Sequence, residues 1–126
     1  MNDDSALRVL VIDTSPEWGN HVFDALVPVG CEVDWAGDVD TAMEYLEDAR
    51  HDLAIVEETL EDLRGRDVIA ALRARRPALR AIITVDEFAS HHERLTESAG
   101  AVVVPKSLDV RALRALVSAC FAPALH

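Results

Sequence analysis

The sequence predicts one α/β domain, a five-stranded doubly wound parallel sheet with helices on both faces. Three observations carry this reading. Short apolar runs alternate with helical stretches five times along the chain. Several of those runs are near-continuous, as in strands covered on both faces. The chain has 126 residues, enough for a single domain over 1–126 with a core from about 7 to 121.

Leu7 to Ile12 is the first strand, rich in β-branched residues. Pro16 suits the first turn of the next helix, which Thr14 or Ser15 caps. Val22, Phe23, Leu26 and Val27 have helical spacing, and Gly30 follows the helix end. Cys31 to Ala36 alternates, as a strand near a sheet edge does. Asp38 or Asp40 caps a second helix that turns Ala42, Met43, Leu46 and Ala49 inward. Asp52 to Glu57 is the third strand, followed by a loop from Glu58 to Arg64 that Gly65 closes. Val68, Ile69 and Leu72 stripe a third helix that stops before Pro77. Ala81 to Val85 is the fourth strand, and Phe88 to Ser98 a weaker, more polar fourth helix. Ala101 to Val104 is the fifth strand. Asp109 caps a fifth helix with Val110, Leu113, Leu116, Val117 and Cys120 inward.

The formal net charge is −11, from 23 acidic and 12 basic residues, which disfavours nucleic acid and anionic membrane surfaces as partners. No run approaches the roughly 20 apolar residues of a membrane span. The acidic start, Met1-Asn2-Asp3-Asp4-Ser5, is unlike a secretory signal, so a cytoplasmic location is expected. Cys31 and Cys120 lie far apart among apolar neighbours and read as free thiols.

Ligand sites in open α/β sheets lie beyond the carboxyl ends of the strands. Here those ends deliver Asp13, Glu57, Val85 or Asp86, and Lys106. This constellation, with Gly65 in the loop after the third strand, resembles the acidic site of CheY-like response regulator receiver domains over about Leu7 to Phe121. The resemblance implies a flavodoxin-like receiver topology and a two-component signalling module rather than an enzyme. It also implies partners of the histidine kinase, phosphotransfer or effector class.

The departures from the family are as specific as the matches. Glu57 stands where the family has its phosphoacceptor aspartate, and it reaches roughly 1.3 Å further. In-line attack needs tight placement, so phosphoryl transfer is expected to be impaired or lost, giving a pseudo-receiver. Of the acids that hold Mg²⁺ after strand one only Asp13 remains, with Thr14 in the second place. Asp13 and Glu57 are thus weak Mg²⁺ candidates. Glu61 replaces the loop proline. The hydroxyl and aromatic switch positions match Val85 and Val103, and Thr84 supplies a hydroxyl only if the register slips by one. Lys106 matches the site lysine, but Ser107 replaces the proline after it, so no cis bond is expected there. An ion pair between Lys106 and Glu57 in a partly buried cleft follows as an expectation.

Trp18, one turn after Asp13, is either a partner anchor on the docking helix or packed against the sheet. Arg73, Arg75, Arg76 and Arg80 complement the end of the third helix, and net charge disfavours reading them as a DNA patch. His91 and His92 read as solvent-exposed rather than metal-binding. Arg111 and Arg114 facing Glu93 and Glu97 of a second copy would give a homodimer through the fourth and fifth helices. Two other functions stay open. One is a working receiver with an unusual acceptor. The other is a small flavodoxin-like enzyme or cofactor binder, against which stands the lack of a Gly-rich loop at Thr14-Ser15-Pro16-Glu17. Whether the chain acts alone or beside an effector domain is likewise open.

Overall fold

The computed structural model describes residues 6–86, 97–98 and 100–121. The first half runs β1 (Arg8–Ile12), α1 (Pro16–Leu26), β2 (Glu32–Ala36), α2 (Val39–Asp48) and β3 (Leu53–Glu57). A small antiparallel hairpin follows, β4 (Thr59–Leu60) with β5 (Leu63–Arg64), and leads into α3 (Gly65–Arg75). The chain then forms β6 (Arg80–Val85), β7 (Glu97–Ser98), β8 (Ala101–Pro105) and α4 (Val110–Cys120). The main sheet has the order β2-β1-β3-β6-β8-β7. Its first five strands are parallel, and β7 adds antiparallel to β8.

The sequence reading and the structure part at three places. The helix expected over Phe88–Ser98 lies outside the described residues except at its end, where Glu97 and Ser98 pair as a strand with Val102 and Ala101. Gly100, at φ 73°, takes the left-handed turn between them. Residues 58–64 form a hairpin rather than an open loop, with Glu61 at φ 54°. Proline is locked near φ −65°, so the backbone at Glu61 is incompatible with the proline the resemblance would place there. The helix after strand one ends at Leu26, and a 3₁₀ turn, Val27–Val29, carries the chain to Gly30 at φ 100°.

Strand alternation sorts the core onto two faces. Leu10, Ile12, Val56 and Ile83 pack with Leu46 of α2 and Ile69 and Leu72 of α3. Val9, Val11, Ile55 and Ile82 pack with Val22 of α1 and Leu113 and Val117 of α4. Each fully buried aliphatic side chain contributes about 1.5–3 kcal/mol relative to exposure, so these faces dominate stability. Caps fix where the helices begin. Ser15 accepts from the Trp18 amide, Asp38 from Thr41, and Asp109 from Ala112.

The arginines are structural. Arg73 donates to the carbonyls of Leu79 and Gly100, and Arg76 to those of Leu46, Ala49 and His51. Arg75 pairs with Glu47, and Arg80 lies 4.7 Å from the Phe121 ring centroid. Arg114 donates to the Ala25 carbonyl at 2.6 Å, tying α4 to α1 within one chain. The acids expected opposite it in a second copy, and the histidines at 91–92, lie outside the residues whose side chains are described. Cys31 and Cys120 are free and half-buried, and burial pushes both thiols up. Among the described residues no helix is long and apolar enough to cross a membrane.

Candidate functional site

The parallel register brings three strand ends together. β1 lies between β2 and β3, so Asp13 and Glu57 leave the sheet side by side. β8 lies one strand beyond β6, and the Lys106 amide donates to the Val85 carbonyl as the chain leaves β8. From that position the lysine reaches back across β6. Its Nζ lies 2.7 Å from Asp13 Oδ2 and 3.5 Å from Glu57 Oε2. The pair expected with Glu57 is therefore the longer of two contacts. Asp13, rooted nearer the sheet and fully buried, holds the ammonium more closely.

Each carboxylate is also held from its other oxygen. Asp13 Oδ1 accepts from the Ser15 amide at 2.8 Å. Glu57 Oε1 accepts from both the amide and the hydroxyl of Thr14, each at 3.1 Å. Thr14 thus serves as a donor to the acidic centre where the family resemblance would place another acid. Burial raises the Asp13 carboxyl above its usual range. Hydrogen bonds from Lys106 and Ser15 draw it back, and the charge of Glu57 raises it again.

Trp35 is a contributor that the sequence reading did not single out. Its Nε1 donates to the Asp13 carbonyl at 3.0 Å, while the Asp13 amide donates to Ala36. The backbone of Asp13 is thereby clamped to β2 from both sides. The indole lies over Gly19, where an added Cβ would sit 2.7 Å from the ring. Gly65 has a comparable cause: a Cβ there would meet the Glu57 carbonyl oxygen at 2.6 Å. Its amide donates to Glu58, drawing α3 against the end of β3.

The two positions that the family resemblance reads as switches are apolar and close-packed. Val85 and Val103 lie in the core cluster on the α2/α3 face. Thr84 is fully buried and pairs in register with Glu57; strand alternation turns it to the other face, where its hydroxyl donates to Val56. No register slip brings it to the place of Val85. Trp18 is 5 % exposed and packs in the α1/α4 core, the second of the two alternatives its sequence position allowed. All peptide bonds among the described residues are trans.

Asp13 and Glu57 would hold Mg²⁺ only in competition with Lys106. The inner oxygens of both carboxylates face one ammonium, and the Thr14 hydroxyl donates to Glu57. A divalent ion needs near-octahedral oxygen ligands at about 2.1 Å and would have to displace that cation. Among the described residues no group of three His, Cys, Asp or Glu side chains is placed to hold a metal.

This architecture is that of CheY-like receiver domains. The chain is similar to chemotaxis response regulator CheY4 of Vibrio cholerae, with a TM-score of 0.78 and 20 % identity, covering 93 % of this chain and 100 % of that one. A response regulator from Thermotoga maritima matches with TM-score 0.78 and 23 % identity over 94 % of this chain and 99 % of its own. NtrX from Brucella abortus matches with TM-score 0.78 and 19 % identity over 91 % of this chain but only 27 % of its own length. The TM-scores establish a shared fold. No family model matches the sequence, and no curated protein does.

Proposed function

We propose that this chain is a receiver module of two-component signalling that works without phosphoryl transfer, through protein–protein contacts. The observation that carries the proposal is the placement of Lys106 Nζ between Asp13 and Glu57, at 2.7 and 3.5 Å. The acidic centre is satisfied by the chain's own cation, and Glu57 Oε1 already accepts two hydrogen bonds from Thr14. Two donors on Glu57 Oε1 and the Lys106 ammonium 3.5 Å from Oε2 support a carboxylate held back from a phosphodonor. The apolar packing of Val85 and Val103 supports the same reading, because a hydroxyl and a mobile aromatic are what the family resemblance would require there. Partners of the kinase, phosphotransfer or effector class, and a cytoplasmic location, follow from the receiver reading.

The test is intact mass after incubation with Mg²⁺ and acetyl phosphate, with Glu57→Asp run beside the parent chain. The parent is expected to gain no adduct. A phosphate adduct on the parent would overturn the proposal, and mapping it would name the acceptor. Gain in Glu57→Asp alone would assign the loss to the extra methylene. No gain in either would assign it to the Lys106 lock as well.

A further inference from the structure

A second surface feature lies off the acidic centre. Pro16, Gly19, Asn20 and Phe23 of α1 form a stripe that faces Val33 and Trp35 of the edge strand β2, with a groove between them. Phe23 is 48 % and Trp35 40 % exposed. Phe23 and Trp35 form an exposed aromatic pair beside the groove. Gly19 lets the Trp35 indole lie directly on α1, because any side chain there would strike the ring.

The segment that holds the groove is acidic, although Asp13 pairs with Lys106, Glu32 with Arg8, Asp34 with His51 and Glu47 with Arg75. Residues 9–49 carry ten acids, namely Asp13, Glu17, Asp24, Glu32, Asp34, Asp38, Asp40, Glu44, Glu47 and Asp48, and no lysine or arginine. With Arg8 of β1 counted, the first two β-α units carry a net −9 of the chain's −11. Glu17 and Asp24, both exposed, are helical neighbours of Asn20 and border the stripe directly. A second copy would set one such field against another, and an anionic lipid surface would be repelled in the same way.

We infer that the α1/β2 groove docks a cationic amphipathic segment of a partner protein, its apolar side chains over Phe23 and Trp35 and its Lys or Arg side chains toward Glu17 and Asp24. This rests on the protein-contact reading above only in taking a protein as the occupant. It does not depend on how the acidic centre behaves.

The test titrates the isotopically labelled chain with a synthetic Lys/Leu peptide of amphipathic helical pattern, followed by amide NMR shifts. A Lys/Ser peptide of equal charge is the control. Shifts are expected to centre on Gly19, Asn20, Phe23, Val33 and Trp35, with affinity at least about tenfold above the control. Phe23→Ser, an exposed change, should remove about that factor while leaving the remaining amide spectrum in place. Equal affinity for both peptides, shifts spread over α2, or an unaltered affinity in Phe23→Ser would each overturn the inference. Concentration-dependent shifts at the same amides without peptide would overturn it in favour of a second copy. None of these outcomes bears on whether acetyl phosphate modifies the parent chain, so the two proposals fail separately.

Discussion

At the same height above the sheet, the two faces carry opposite chemistry. On the α1/α4 side the strand ends deliver Asp13, Glu57 and Lys106 into one hydrogen-bonded cluster. On the α2/α3 side Val85 and Val103 continue the hydrocarbon core to its top. The receiver resemblance would couple these faces, a charge event on one moving a hydroxyl and a ring on the other. Here Lys106 joins the acids on one side, while Val85 and Val103 pack in the core on the other.

The largest expected effect comes from removing the cation that joins the acids. Lys106→Met keeps the hydrocarbon stem but leaves Asp13 and Glu57 facing each other. Breaking a buried pair costs about 3–5 kcal/mol. The cleft is partly wet, with the Lys106 and Glu57 side chains 18 % and 20 % exposed, so the loss should fall near the low end, about 3 kcal/mol, read by urea unfolding at neutral pH. Adding Asp13→Asn to Lys106→Met should recover part of that loss. Identical unfolding of Lys106→Met and the parent would mean the cluster is not a structural lock.

The opposite face predicts a smaller cost. Val85→Thr restores a hydroxyl at the switch position without changing shape, and should lose about 1–2 kcal/mol by burying a polar group. If Val85→Thr instead matched the parent's midpoint, the hydroxyl would have found a partner and the contrast between faces would weaken.

The smallest effect is a pH dependence. With the folded pKa of Asp13 raised by burial, its contribution is fully present below the unfolded value and declines as pH rises through the folded one. Asp13→Asn has no such proton to lose. The stability gap between parent and variant should therefore narrow from about pH 4 upward, followed by thermal melting across the acid range. A gap that widens with pH would mean that Lys106 outweighs desolvation.

The fold was legible because each strand is a short apolar run and each helix a periodic one, with Pro16, Asp38 and Asp109 marking the helix starts. The convergence of Asp13, Glu57 and Lys106 was legible for a topological reason, since parallel strands send their carboxyl ends the same way. The finer partnerships were not. That Lys106 lies closer to Asp13 than to Glu57, or that Thr14 holds Glu57 by two donors, depends on side-chain reach across neighbouring strands. Trp18 and Trp35 show the same limit. The helical tryptophan turns inward against α4, and the edge-strand one lies on a glycine half in solvent. Nothing local distinguishes them, because the partners of each lie on other elements.

Trp35 belongs to the groove and to the acidic centre at once, through one indole and one carbonyl. Linkage makes that dual membership reciprocal. A guest that drew the indole away would cost Asp13 a backbone donor, so its affinity would depend on how firmly Asp13 is held. Whatever loosened Asp13 would change the guest's affinity by the same factor. Through this tryptophan the acidic centre and the groove would exchange free energy.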